Sequence, residues 1–180
     1  MAFKSRKGLL IFGVLVAVLL LIWVGLGLGE EQEEEAVSVG AVAPNFTLED
    51  LTGGRVELKK VYRENQLTLV NFWATWCPPC KREIPDLVGF YRKYQGKGVE
   101  LLAVNSWDDS SLAQLQTFAA SAEMEFPILL DGEGETVKKY NIRAVPTTIF
   151  IDHSGRIKEI FMGALTYNQL ETRLQKYLAD

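Results

Sequence analysis

Leu69 to Pro85 reads LVNFWATWCPPCKREIP. An apolar, strand-like run (Leu69, Val70, Phe72, Trp73) stops at Cys77, and a helix-compatible run opening with two prolines comes next. Both cysteines of the chain lie here, three residues apart. With Cys77 at a helix N-terminus and Cys80 on the first turn, the two sulfurs can close one local loop. Chain-entropy arithmetic for a loop of about four residues gives only roughly 2 kcal/mol before strain. A stapling role therefore explains the pair poorly, and reversible redox chemistry explains it better.

Upstream, Asn45–Leu48 and Arg55–Leu58 read as short strands around Thr52-Gly53-Gly54, a hairpin signal. Leu67–Trp73 is almost continuously apolar, as suits a central strand buried on both faces. The spacing of Ile84, Leu87, Val88 and Tyr91 predicts an amphipathic helix from Pro78 to Tyr94, ended by Gly96 and Gly98. Pro85 lies inside it, where it removes the bond to the Lys81 carbonyl and bends the axis. Val99–Asn105 is the next buried strand, with a loop through Asp108 and a helix over Ser111–Ala122 after it. Pro127–Leu130 reads as a short strand and Glu135–Tyr140 as a short helix. Thr147–Ile151 and Arg156–Phe161 form a hairpin around His153-Ser154-Gly155. A last helix runs over Thr166–Leu178, with Thr166 and Gln169 fitting a capping box. Strands alternating with helices, then a hairpin and a final helix, argue an α/β sandwich with a mixed sheet.

The 180 residues suffice for one domain plus an appendage. Gly8–Gly29 carries no charge, and as helix it would span about 33 Å against a hydrocarbon core of about 30 Å. Lys4, Arg6 and Lys7 precede it. Residues 1–7 therefore read as a cytoplasmic basic flank, 8–29 as a transmembrane anchor, and the remainder of the chain as extracytoplasmic. A cleaved signal peptide has a shorter apolar region, about 7–15 residues, which favours an uncleaved single-pass span. No cysteine closes the apolar run, which excludes lipoprotein attachment. Residues 30–36 begin EEQEEE, a solvated and self-repelling linker. Beyond it, residues 37–180 make one domain with nearly balanced charge. Nothing there resembles the basic footprint of a nucleic-acid binder. Two cysteines are also too few for a disulfide-stapled scaffold.

Thiol exchange needs a thiolate, and a free cysteine with pKa near 8.5 is mostly protonated at neutral pH. A helix N-terminus favours the anion through its dipole and free N–H groups. Pro78 and Pro79 fit the first two helical positions but delete two such donors, leaving the Cys80 N–H as the nearest. The motif should therefore stabilise a Cys77 thiolate weakly. That makes the pair a reductant or isomerase rather than a strong oxidant. Cys77, at the exposed helix start, is the attacking nucleophile, and Cys80, one turn in, resolves the mixed disulfide. A zinc site needs about four ligands, and the single histidine, His153, falls in a turn.

WCPPC, the preceding VNFWAT, the later VPTTIFID and the terminal glycine plus helix resemble the thioredoxin fold. More narrowly, they resemble the membrane-anchored TlpA/ResA-like thiol–disulfide oxidoreductases, over Val37–Asp180. The resemblance implies a thioredoxin-like sandwich, a central mixed β-sheet flanked by helices, with an extra N-terminal hairpin and a central helix–strand insert over Ser106–Asp131. One transmembrane helix would precede it. It also implies a cis bond at Val145-Pro146 that sets the Val145 backbone beside the sulfurs. Trp76, Pro78, Pro79, Val145 and Pro146 would then form the substrate-binding surface. Asn71 stands where thioredoxin has a buried aspartate, so that route for protons is absent. Glu83 reads either as a solvated helix residue paired with a nearby Lys or Arg, or, by resemblance, as a carboxylate tuning the active site. No cofactor is implied beyond the redox-active disulfide Cys77–Cys80. Implied partners are disulfides in exported proteins such as apocytochrome c, and a membrane thiol-electron donor. Two other classes fit the residues less well. A peroxiredoxin-like peroxidase needs Thr three residues before its reactive cysteine, where this chain has Ala74, with Thr75 one place off. A copper-binding module of this fold resembles a wider CxxxC spacing with a distant His.

Overall fold

The computed structural model describes residues 12–18 and 37–178. Residues 12–18 are helical, with Phe12, Val14, Leu15, Val16 and Val18 exposed. Among the described residues no helix is long and apolar enough to cross a membrane. The rest of the expected span at 8–29, the basic flank and the acidic linker lie outside the described residues.

The domain is a seven-stranded sheet in the order β2-β1-β5-β4-β3-β6-β7. Its strands are β1 (Thr47–Asp50), β2 (Arg55–Glu57), β3 (Leu67–Trp73), β4 (Val99–Ser106), β5 (Ile128–Asp131), β6 (Thr147–Asp152) and β7 (Ile157–Met162). The helices are α1 (Leu58–Glu64), α2 (Pro78–Tyr94), α3 (Leu112–Ser121), α4 (Glu135–Lys139) and α5 (Tyr167–Leu178). The β3–β4 and β4–β5 pairings are parallel, whereas β1–β2, β1–β5, β3–β6 and β6–β7 are antiparallel, so the sheet is mixed.

β3 lies inside the sheet between β4 and β6, and every residue in it is buried. Strand side chains alternate between faces. Leu67, Leu69 and Trp73 accordingly pack with Ile84, Leu87 and Phe90 of α2, Leu115 of α3 and Leu170 and Leu174 of α5. Val70 and Phe72 pack on the other face with Leu58 and Tyr62 of α1 and with Val137 of α4. The burial of Leu170 and Leu174, four apart, fixes α5 against the sheet. Its start has the capping box: Gln169 Oε1 accepts the Thr166 N–H at 3.0 Å and Thr166 Oγ1 accepts the Gln169 N–H at 3.4 Å.

The boundaries of β1 and β2 differ from the sequence reading for one reason. Asn45, expected to start β1, instead accepts the Lys59 N–H on its Oδ1 at 2.9 Å and donates to Glu57 Oε1 at 3.0 Å. It thus supplies an acceptor to the first turn of α1, a helix not anticipated in the chain, whose own N-cap Glu57 makes no side-chain capping bond. β1 begins two residues later, and β2 stops where α1 starts.

Candidate active site

The β3 strand ends in a turn over Ala74–Cys77, closed by the Cys77 N–H on the Ala74 carbonyl at 3.2 Å. Cys77 is the N-cap of α2, with Pro78 and Pro79 at the first helical positions. The Cys80 N–H donates to Cys77 Sγ at 3.2 Å. Cys77 and Cys80 are joined by a disulfide, with Cα atoms 5.3 Å apart. Cys80 is fully enclosed, and Cys77, expected to be exposed, is only 2% accessible. Part of the cover comes from the β6 side. Val145–Pro146 is cis, and the Val145 carbonyl oxygen lies 3.5 Å from Cys77 Sγ. A disulfide sulfur has no proton to give that oxygen, but a Cys77 thiol would donate to it. Pro78 and Trp76, by contrast, are exposed.

Glu83 is 1% accessible, so the solvated alternative does not hold. Its Oε1 accepts Asn71 Nδ2–H at 2.9 Å and its Oε2 accepts the Leu165 N–H at 3.0 Å. Asn71 also donates to Thr148 Oγ1 at 3.0 Å. Burial pushes the Glu83 carboxyl up to about 7, with Asp86 adding to the rise, while the Leu165 and Asn71 bonds pull it down. A carboxyl titrating near neutrality can hold or release a proton at that pH, and this one lies three residues past Cys80 on the same helix.

Other residues of the site were not anticipated. Asp108 accepts the Thr75 N–H at 2.6 Å, Thr75 Oγ1–H at 3.0 Å, Asn105 Nδ2–H at 3.0 Å and the Ser110 N–H at 3.1 Å. Burial opposes its ionisation, but the bonds from Asn105, Ser110 and Thr75 outweigh it and hold the carboxyl at about 2. Trp76 Nε1–H donates to the Trp107 carbonyl at 2.6 Å. The signal available in the chain was Asp108 two residues before Ser110, an Asx-turn pattern just past a buried strand. Thr75, the hydroxyl nearest the position a peroxidase would need, is bound into this cluster, and position 74 is a buried alanine. Among the described residues no group of three or more His, Cys, Asp and Glu side chains is placed to hold a metal ion.

A two-cysteine helix N-terminus beside a cis-proline, on a sheet of this order, defines a thioredoxin-fold thiol–disulfide oxidoreductase. The AhpC/TSA family matches residues 39–160. The thiol–disulfide oxidoreductase ResA of Geobacillus kaustophilus is 39% identical over 140 residues, covering 78% of each chain. That of Bacillus subtilis is 31% identical over 167 residues, covering 93% of this chain and 91% of the relative. The crystal structure of StoA from Bacillus subtilis superposes with a TM-score of 0.62 at 31% identity, covering 73% of this chain and 97% of that one. The chain belongs to the AhpC/TSA family and, within it, to the ResA-like thiol–disulfide oxidoreductases.

Proposed function

We propose that this protein is a membrane-tethered, extracytoplasmic reductant of disulfides in exported proteins, with apocytochrome c as the favoured substrate. The surroundings of Cys77 Sγ carry the reading. One N–H donates to that sulfur, two further donors are lost to Pro78 and Pro79, and a carbonyl oxygen stands at 3.5 Å. A carbonyl favours the thiol over the thiolate, and a weakly stabilised thiolate makes a reducing pair.

In the proposed cycle the Cys77 thiolate attacks one substrate sulfur, and the other substrate sulfur leaves with the electron pair. Cys80 then attacks the Cys77 side of the mixed disulfide, releasing the second substrate thiolate. Two electrons pass to the substrate, and its two sulfurs leave as thiols. Glu83 takes the Cys80 proton as that sulfur becomes nucleophilic and returns it to a departing thiolate. Trp76, Pro78, Pro79, Val145 and Pro146 border the sulfurs and would receive the substrate chain. A membrane thiol-electron donor reverses the steps to regenerate the dithiol. The anchor at 8–29 is supported by its uncharged length, and the alignment with the Bacillus subtilis relative is long enough to reach into it.

The test is Cys80→Ala in the full-length chain expressed in its membrane. Attack by Cys77 can then occur but resolution cannot, so substrates should accumulate as mixed disulfides. Capture of exported proteins bearing the CxxCH sequence is expected. A trapped set without them removes the cytochrome assignment. A midpoint potential as oxidising as about −120 mV removes the reductant direction.

A further inference from the structure

Trp107 directly follows β4, with φ of 55° and 43% of its surface exposed. That left-handed conformation is ordinarily left to Gly or Asn, and a bulky residue in it is a marker of constraint. The constraint is visible on both sides. The Trp107 carbonyl holds the Trp76 indole, while the neighbouring Asp108 holds Thr75 by its N–H and its hydroxyl. Thr75 and Trp76 are the two central residues of the turn that delivers Cys77. Residues 107–110 are therefore tied to both, which fixes the Trp76 indole next to the nucleophile and holds the Trp107 backbone against it, with the Trp107 side chain exposed. Neither is a core residue, since Trp76 is 56% exposed. Exposed tryptophans beside a reacting group are the kind of surface that dominates recognition of polypeptides.

We propose that Trp107 is a substrate-contact residue. With Trp76 it forms an aromatic ledge beside Cys77 that takes an aliphatic or aromatic side chain flanking the substrate disulfide, and Asp108 is the positioning residue that holds the ledge. Asp109, exposed on the same loop, disfavours an acidic side chain there. The inference rests on the thiol-exchange reading and adds the chemistry of the segment recognised.

The experiment measures rate constants for oxidation of the reduced full-length protein by thiol alkylation. The oxidants are cyclic CxxC peptides with Leu, Ser or Glu beside the first cysteine, and hydroxyethyl disulfide, which has no side chain to offer. Wild type should prefer Leu over Ser over Glu. Trp107→Ala and Trp107→Asn should each lose about tenfold on the Leu peptide, the scale of one interface tryptophan, and stay within about twofold on hydroxyethyl disulfide. Trp107→Phe should keep most of the preference. Asn tolerates positive φ, so Trp107→Asn should melt no lower than wild type, whereas replacing a structural tryptophan would lower the midpoint. Equal losses on both oxidants, an unchanged Leu preference, or a large drop in the Trp107→Asn midpoint each overturn the ledge. A wild-type protein that reduces neither oxidant overturns the exchange reading itself, and the ledge with it.

Discussion

Glu83→Gln isolates the free energy stored in one buried carboxyl. In the folded chain the group titrates at about 7, against an ordinary 4.5, chiefly because burial disfavours the charged form. The folded protein therefore holds a proton between those pH values that the unfolded chain has released. Stability must fall as pH rises through that window, and level off above it. At 1.36 kcal/mol per unit the loss is about 3 kcal/mol. Gln has nothing to titrate, so this slope should vanish in the variant. The variant also carries a constant penalty, because one of the two donors, Asn71 Nδ2–H or the Leu165 N–H, would meet an NH₂ group instead of oxygen. An unmade buried bond costs about 1–3 kcal/mol. The pH dependence, and not the absolute stability, is thus the readout. Urea titrations of the oxidised protein from about pH 4 to 8 should give wild-type and variant curves that diverge at low pH and converge, or cross, towards the alkaline end. Curves that stay parallel across the range would refute the reasoning, because they would mean Glu83 titrates alike in both states.

Asn71→Ala removes a donor from Glu83 and another from Thr148; it should cost about 1–3 kcal/mol at about pH 8 and less near pH 5, where Glu83 is protonated, as read by the same titrations. Asp108→Asn should destabilise the protein at neutral pH. Because the wild-type carboxyl is held down at about 2, its contribution is present above 3.8 and lost as pH falls through the folded value, so the variant's acid unfolding limb should be shallower. Gly155→Ala should lower the thermal midpoint by an amount equivalent to about 1–2 kcal/mol, since φ there is +86° and the new Cβ would stand 2.7 Å from the Tyr62 ring.

What the chain discloses in advance is what its neighbours in sequence decide. α2 was legible from Pro78 to Tyr94 because its signals are local: prolines at the start, an apolar stripe, glycines past the end. β3 was legible because an apolar run interrupted only by Thr68 and Asn71 leaves few other choices. α1 was not, because its seven residues make less than two turns of pattern and Asn45, which bonds its first turn, lies fourteen residues before Lys59. Glu83 remained open between surface and interior for the same kind of reason. On the helix it has the look of any polar position, and only Asn71, twelve residues away, and Leu165, eighty-two away, enclose it. Part of the cover over Cys77 arrives from Val145, sixty-eight residues on, where the family resemblance, and not residue spacing, had placed it. Residue spacing could place the sulfurs on one turn, but not say what stands over them.

The Leu165 amide, besides donating to Glu83, gives the enzyme a built-in probe. Its proton points at the oxygen whose charge changes when the carboxyl titrates, and it belongs to the segment leading into α5, away from both cysteines in sequence. Its nuclear magnetic resonance should move with every protonation event at Glu83, in either oxidation state and without any label on sulfur. Tracking that one resonance against pH, first in the disulfide form and then in the dithiol, would measure how strongly the two chemistries are wired together.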